Sequence, residues 1–216
     1  YGRTVDYLRL SVTDLCNYRC QYCMGPQGVE KRPHGAMLSV EECVEIGAAA
    51  VACGVKKIRL TGGEPLVRRG LLDICRGLRA LPGLEELCLT TNGSLLPNLA
   101  GPLRKAGVDR LNISLDTLRP DRFAAMTRLG RLEDALSGIQ AAEDAGFTNL
   151  KLDTVLIGGF NDDEINDFLA LTMDHPWEVR FIELMPMGPC AQWEKSCFLP
   201  VEHILKNNPA LQILST

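Results

Sequence analysis

No apolar run in this chain of 216 residues approaches the roughly 20 residues a helix needs to cross a bilayer, and no charged-then-apolar signal segment opens it at Tyr1. A basic excess is lacking too. Lys and Arg number 23 against 27 Asp and Glu, a net charge of −4, which argues against broad binding to nucleic acid or a membrane surface but accommodates a local basic pocket for an anionic small molecule. No Gly-x-Gly-x-x-Gly follows the first strand-like run, which speaks against a dinucleotide-binding sheet. Low-complexity tracts, long linkers and short-period repeats are missing, and a content of 46% hydrophobic and 23% charged residues excludes disordered, collagenous and mucin-like classes. The nine cysteines are an odd number without the spacing of a disulfide framework, so a reducing, cytoplasmic location is expected.

What is present is an alternation of short β-rich runs with longer helical patterns. The runs are residues 7–12, 57–61, 86–91, 110–116, 149–157 and 178–185; the helical patterns cover 39–53, 71–80, 95–106, 132–145 and 164–173. Ser39 and Glu42 form a capping-box signature, and Asn161 with Glu164 repeats the cap logic. Such alternation predicts a parallel sheet with helical crossovers. Six strands fall short of a complete eight-unit barrel, leaving an open doubly wound sheet or a partial (β/α)6 barrel in one α/β domain. Either way the unusual residues gather after the strands, at one rim: Cys16–Cys23, Gly62-Gly63-Glu64-Pro65, Thr91-Asn92-Gly93, Ser114 with Asp116, and Met185-Pro186.

Three of the cysteines carry chemistry. Cys43, Cys53, Cys75, Cys88 and Cys190 stand singly among apolar neighbours and are expected as buried small hydrophobes, with Cys197 also structural. Cys16-x-x-x-Cys20-x-x-Cys23 sets three thiols on one short loop, soft donors suited to an iron–sulfur cluster, zinc or copper(I). Three is one short of the usual four, so one metal position is left open for a substrate or cofactor. The alternatives are a zinc site completed by His34 and a thioredoxin-like redox pair of Cys20 and Cys23. Two glycines before Glu64 let the backbone approach a ligand closely, and the Glu64 carboxylate is suited to an ammonium group; a tight βα turn explains the same residues.

The cysteine motif, with Tyr22 before its last member and Gly-Gly-Glu-Pro after the second strand, resembles the radical S-adenosylmethionine superfamily. The segments 7–17, 58–66, 89–93, 112–116 and 181–188 narrow the resemblance to the GTP cyclases of molybdenum cofactor biosynthesis, over about residues 7–200. The resemblance implies a partial TIM-like barrel over 1–200, with 201–216 the start of a C-terminally truncated region. It also implies a four-iron, four-sulfur cluster on Cys16, Cys20 and Cys23, with S-adenosylmethionine on its open iron. Tyr22, Gly63, Glu64, Ser114 and Met185 would contact that cofactor, and Thr90 the substrate. The implied reaction is hydrogen abstraction from the ribose of GTP followed by cyclisation to a pterin precursor, with an electron donor and a homodimer as implied partners.

An acidic protein that takes a triphosphate must meet that charge locally. Arg9, Arg59, Lys151 and Arg180 each sit between apolar residues within strands. Both faces of a parallel barrel strand are covered, so a charge there is costly unless countered. Four cations and no acid at matching positions are expected to mean a polyanion in the lumen. The family's second cluster requires three later cysteines, and only Cys190 and Cys197 follow Met185, so this chain is not expected to encode it. Gly25 stands where the family has proline. Two other readings stay open: a radical enzyme acting on another substrate such as a peptide, and a non-catalytic zinc module.

Overall fold

A computed structural model describes residues 2, 4–30, 35, 37–208 and 211–212. Its strands are β1 (Tyr7–Ser11), β2 (Lys57–Thr61), β3 (Glu86–Thr91), β4 (Arg110–Ser114), β5 (Lys151–Leu156) and β6 (Glu178–Glu183). The α-helices are α1 (Val40–Ala52), α2 (Leu71–Arg79), α3 (Leu96–Lys105), α4 (Pro120–Thr127), α5 (Leu132–Asp144), α6 (Ile165–Asp174) and α7 (Val201–Asn207). The strands pair in chain order, β1 to β6, and every neighbouring pair is parallel. A doubly wound sheet reverses its strand order at a switch point. This one never does, so the architecture is the partial barrel rather than the open sheet.

Each strand places alternate residues on opposite faces. Leu10, Ile58, Leu60, Leu87, Leu89, Leu111, Ile113 and Leu152 are buried in the main core against the helices. The residues between them, including Arg59, Cys88, Arg110 and Asn112, therefore share the concave face, the lumen. The register aligns Arg9 with Arg59, Arg59 with Cys88 and Cys88 with Arg110, so one row across four strands carries three cations.

Helix α1 starts with the full capping box: the Ser39 hydroxyl accepts from Glu42 N, and Glu42 Oε2 accepts from Ser39 N. The expected repeat of that logic at Asn161 fails. Asn161 makes no cap bond; its side chain accepts from Ile157 N and donates to the carbonyls of Asp116 and Val155. Glu164 is fully buried and accepts from the Thr117 hydroxyl and from Leu118 N. The side chains of both residues tie the loop after β5 to the end of β4, and Glu164, although it is the N-cap residue of α6, makes no side-chain cap bond there. Helix α4 was not anticipated from the sequence. It opens with Pro120 in its first turn, where the missing N–H has no intrahelical partner to lose. Ile204 of α7 packs against Leu156 and Ile165.

Candidate functional site

The cysteine loop leaves the top of β1 and is held by its neighbours. Arg19 N donates to Thr127 O at 2.9 Å and Gln21 N to Met126 O at 3.0 Å, while Gln21 Nε2 donates to Ala125 O at 2.8 Å. Those carbonyls belong to the last turn of α4, where a helix leaves its C=O groups without intrahelical donors; the loop thus caps the helix. Arg128 follows at φ 62°, a left-handed conformation rare outside glycine, and its Nη1 donates to the carbonyls of Arg19 and Met24. Tyr18 packs edge-to-face on Phe123 of α4, with ring centroids 6.0 Å apart.

Cys16 and Cys20 are half-buried and Cys23 is exposed, all three as free thiols. Cys16 Sγ accepts from Tyr18 N at 3.3 Å. Burial raises all three thiols above their usual range, and the negative charges of Asp116 and of neighbouring thiolates add to the effect on Cys20. Among the described residues no three of His, Cys, Asp and Glu converge on a point where one metal ion could sit. That geometry gives no support to a mononuclear zinc tetrahedron, and His34 lies outside the described residues. Donors spread along a loop suit a polynuclear cluster, whose separate metal atoms each take one thiolate.

The loop after β2 meets the cysteine loop backbone to backbone. Gly63 N donates to Thr13 O at 2.7 Å and Glu64 N to Leu15 O at 2.8 Å. A Cβ on Gly62 would lie 2.3 Å from Thr13 O, and one on Gly63 would lie 2.3 Å from Leu15 O. The close approach expected of these glycines is therefore to the cysteine loop itself, not primarily to a ligand. Glu64 also departs from expectation. It is 1% exposed, and its carboxylate accepts from Leu66 N, the Thr91 hydroxyl and Asn92 N at 2.7–2.9 Å. Burial raises its pKa, against the pull of those bonds. Glu64 thus braces the β2 and β3 loops rather than offering a free anion to an ammonium group. Asn92 Nδ2 donates to Asn17 Oδ1, and Asn17 Nδ2 to the Ser94 hydroxyl, joining the β3 loop to the cysteine loop.

Ser114 and Tyr22 lie together: with Cys20 and Asp116 they line a crevice of about 30 Å³. The Tyr22 hydroxyl donates to Asp116 Oδ2 at 2.8 Å, and Val155 N donates to Oδ1. Burial pushes the Asp116 carboxyl up to about 6 and the Tyr22 phenol well above its usual value. Met185 lies apart from this crevice, 58% exposed beyond β6. Cys190 is buried and its thiol donates to the carbonyls of Met185 and Met187, a structural role. Cys43, Cys75 and Cys88 are buried as expected; Cys53 is exposed, because it ends α1 at the surface.

The lumen holds a cavity of about 410 Å³ lined by Arg9, Arg59 and Arg180, joined by Lys57, Arg110 and Asp153. Lys57 and Arg110 were missed from sequence, although the two-residue period that places Arg59 inward does the same for Lys57. Lys151 lines a neighbouring cleft with Arg110, Trp177 and Glu178. The expectation that no acid matches the cations is corrected. Lys151 pairs with Glu178, and Arg180 lies 3.5 Å from Asp153 and 3.6 Å from Glu178. Arg59 differs: it is 8% exposed, and its Nε is buried with no hydrogen-bond partner among the described residues, as is Thr90 Oγ1. The Arg59 guanidinium lies over the Tyr7 ring, 5.7 Å from its centroid, so its charge has an aromatic neighbour while its Nε, a kind of donor normally satisfied when buried, has none.

Residues 10–172 match the family described as the Radical SAM superfamily. The chain belongs to the radical SAM superfamily. Membership implies a four-iron, four-sulfur cluster and S-adenosylmethionine as cofactors. Among similar proteins is the GTP 3',8-cyclase of Peptoclostridium acidaminophilum, 52% identical over 213 residues, which cover 98% of this chain and 66% of that protein. The GTP 3',8-cyclase of Geobacter sulfurreducens is 54% identical over 205 residues, covering 95% of this chain and 63% of its own length. This chain therefore spans just under two thirds of the length of these relatives. Among solved structures, methylornithine synthase aligns with a TM-score of 0.70 at 16% identity, covering 94% of this chain and 61% of that one. SuiB of Streptococcus suis gives 0.70 at 15%, covering 95% and 47%. At such identities the likeness speaks for the fold, which is that of radical SAM enzymes. Among the described residues no helix is long and apolar enough to cross a membrane.

Proposed function

We propose that this chain is the cluster-bearing portion of a GTP 3',8-cyclase, acting in molybdenum cofactor biosynthesis. The carrying observation is the row of Arg9, Arg59 and Arg110 across the lumen, on strands whose first βα loop carries three thiols with no fourth protein ligand beside them among the described residues. Cys16, Cys20 and Cys23 fit three corners of a four-iron, four-sulfur cluster: they lie on one loop, influence one another electrostatically, and leave a corner for S-adenosylmethionine. Held there, a reduced cluster with S-adenosylmethionine would supply radical chemistry at a carbon, an external one-electron donor providing the electron that cleaves the carbon–sulfur bond of the sulfonium with release of methionine, so that a ribose hydrogen of GTP could be abstracted.

The chain's own residues bind, orient and exclude water. Tyr22, Ser114 and Gly63 border the cofactor at the rim, Met185 approaches from the β6 side, and Glu64 acts through the loops it braces. Arg9 and Arg59 take the phosphates, with guanidinium forks suited to paired phosphate oxygens, and Lys57 and Arg110 join them by giving up the Glu86 carboxylate that pairs with both. Lys151 and Arg180 exchange carboxylate partners for phosphate when the nucleotide enters, and Thr90 offers its unpartnered hydroxyl.

Two measurements test this. Anaerobic iron and sulfide quantification should fall sharply in Cys20→Ser relative to the parent. Arg59→Ala should abolish GTP binding by calorimetry while S-adenosylmethionine cleavage by the reduced protein continues. GTP affinity unchanged in Arg59→Ala and in Lys151→Ala would refute the substrate assignment.

A further inference from the structure

Beneath the lining of the lumen cavity, two neighbouring buried groups have no hydrogen-bond partner among the described residues, the Thr90 hydroxyl and the Asn112 amide oxygen, and only the second is purely an acceptor. Asn112 is 0% exposed on β4, with Thr90 of β3 and Lys151 of β5 beside it in the register. Leu111 and Ile113 flank it in the core, so by alternation Asn112 shares the lumen face with Arg110 and Ser114. Its Nδ2 donates to Asp153 Oδ2 at 2.9 Å. A carboxylate only accepts, which fixes the orientation of the amide. Oδ1 is thereby turned away from Asp153, buried, and without a partner among the described residues. Asp153 itself lines the cavity beside Arg180.

The ligand that satisfies Asn112 must bring a donor. Phosphate oxygens are acceptors and answer the arginines, not this amide. Position along the strands says which part of a nucleotide comes next. Asn112 stands two residues beyond Arg110 on β4, hence on the rim side of the row of Arg9, Arg59 and Arg110 and level with Lys151 of β5. In a nucleotide the sugar follows the phosphates, and its hydroxyls are donors. We infer that Asn112, held in orientation by Asp153, accepts a hydrogen bond from a ribose hydroxyl of the nucleotide in the lumen. Asn112 thereby binds the sugar rather than the phosphates, and Asp153 is its positioning residue. The inference rests on the nucleotide reading of the lumen given above. It adds a sugar contact at the ring that has to be held still for hydrogen abstraction.

The test compares GTP, 2'-deoxy-GTP, 3'-deoxy-GTP and inorganic tripolyphosphate by anaerobic titration calorimetry on the parent chain, Asn112→Ala and Asp153→Asn. The parent should bind one of the two deoxynucleotides about three- to tenfold more weakly than GTP, the size of one neutral hydrogen bond. Asn112→Ala should erase that difference and leave tripolyphosphate affinity unchanged; Asp153→Asn should reduce it. The parent comparison needs no variant, so a misfolded Asn112→Ala does not shelter the idea. Equal affinity of the parent for GTP and both deoxynucleotides overturns the sugar contact while the nucleotide reading stands. Equal losses for GTP and tripolyphosphate in a folded variant do the same. A parent that binds neither GTP nor tripolyphosphate overturns the nucleotide reading and this inference with it.

Discussion

Replacing Gly63 by alanine puts a methyl carbon 2.3 Å from Leu15 O and 2.6 Å from Asp14 O. Carbon–oxygen contacts settle near 3.3–3.6 Å, so the two loops must separate by about 1 Å. Both obstructing atoms are backbone, and neither can swing aside as a side-chain end would. Separation at that point strains or breaks the bonds Gly63 N→Thr13 O and Glu64 N→Leu15 O. At about 1 kcal/mol for each bond, and about 1–3 kcal/mol for an amide left buried and unpaired, the expected loss is roughly 2–5 kcal/mol. For a domain of this size that is a fall in melting temperature on the order of 5–15 °C.

The assay separates two accounts of the same glycine. If Gly63 serves cofactor approach, Gly63→Ala keeps its melting temperature and loses S-adenosylmethionine affinity alone. If it serves the docking of the β2 loop on the cysteine loop, the cluster-free protein is already destabilised, and cluster loading falls because the thiols are displaced. Thermal unfolding of cluster-free Gly63→Ala decides. A melting temperature within 2 °C of the parent (a shift of at most about 1 kcal/mol) refutes the docking argument.

Further expectations are open to equally direct checks. Burial raises the Asp116 carboxyl to about 6. An acid whose folded pKa is raised lends stability below its unfolded value near 4, and that stability is lost as pH rises through 6. A shift of about two units corresponds to about 3 kcal/mol. Urea melts of Asp116→Asn should therefore show a flatter decline between pH 4 and 6 than the parent, and parallel curves would contradict this. Ser39→Ala removes the capping box of α1 and should cost about 1 kcal/mol in a urea titration; no change in midpoint tells against it. Glu178→Gln releases Lys151 from its carboxylate partner. For a partly exposed pair worth about 0.2–1 kcal/mol, GTP binding should tighten up to about fivefold, and weaker binding would count against the displacement step.

Strand positions were legible because alternation is a local property. β2 and β3 fall at the predicted residues, and α1 carries its cap in the sequence. α4 was not seen, since it has only two strongly buried apolar residues, Phe123 and Met126, and no side-chain cap. Pro120 at its start was the available sign. The acids facing the lumen were legible and overlooked: Asp153 stands two residues from Lys151, and Glu178 two from Arg180, so period two puts each on its cation's face. Glu64 was beyond local reading. Its partners Thr91 and Asn92 lie 27 and 28 residues away, brought near only when β2 and β3 pair.

The unseen helix bears on the chemistry more than its length suggests. The amides of Arg19 and Gln21 are spent on the final carbonyls of α4, Gly63 and Glu64 hold the start of the loop, and Asn92 with Ser94 holds Asn17. Two βα loops and the last turn of α4 thus fix the backbone around Cys16 and Cys20 through bonds in which no thiol takes part. A loop fixed in this way does not need the cluster to set its course. The ordering entropy, about 1–2 kcal/mol per residue, is met on folding rather than on cluster assembly. Cysteine-to-serine changes at 16 or 20 should therefore remove iron while leaving the melting temperature of the cluster-free protein within a few degrees of the parent. A collapse of the cluster-free fold in Cys20→Ser would mean that the thiol, not the hydrogen-bonded frame around it, carries the loop.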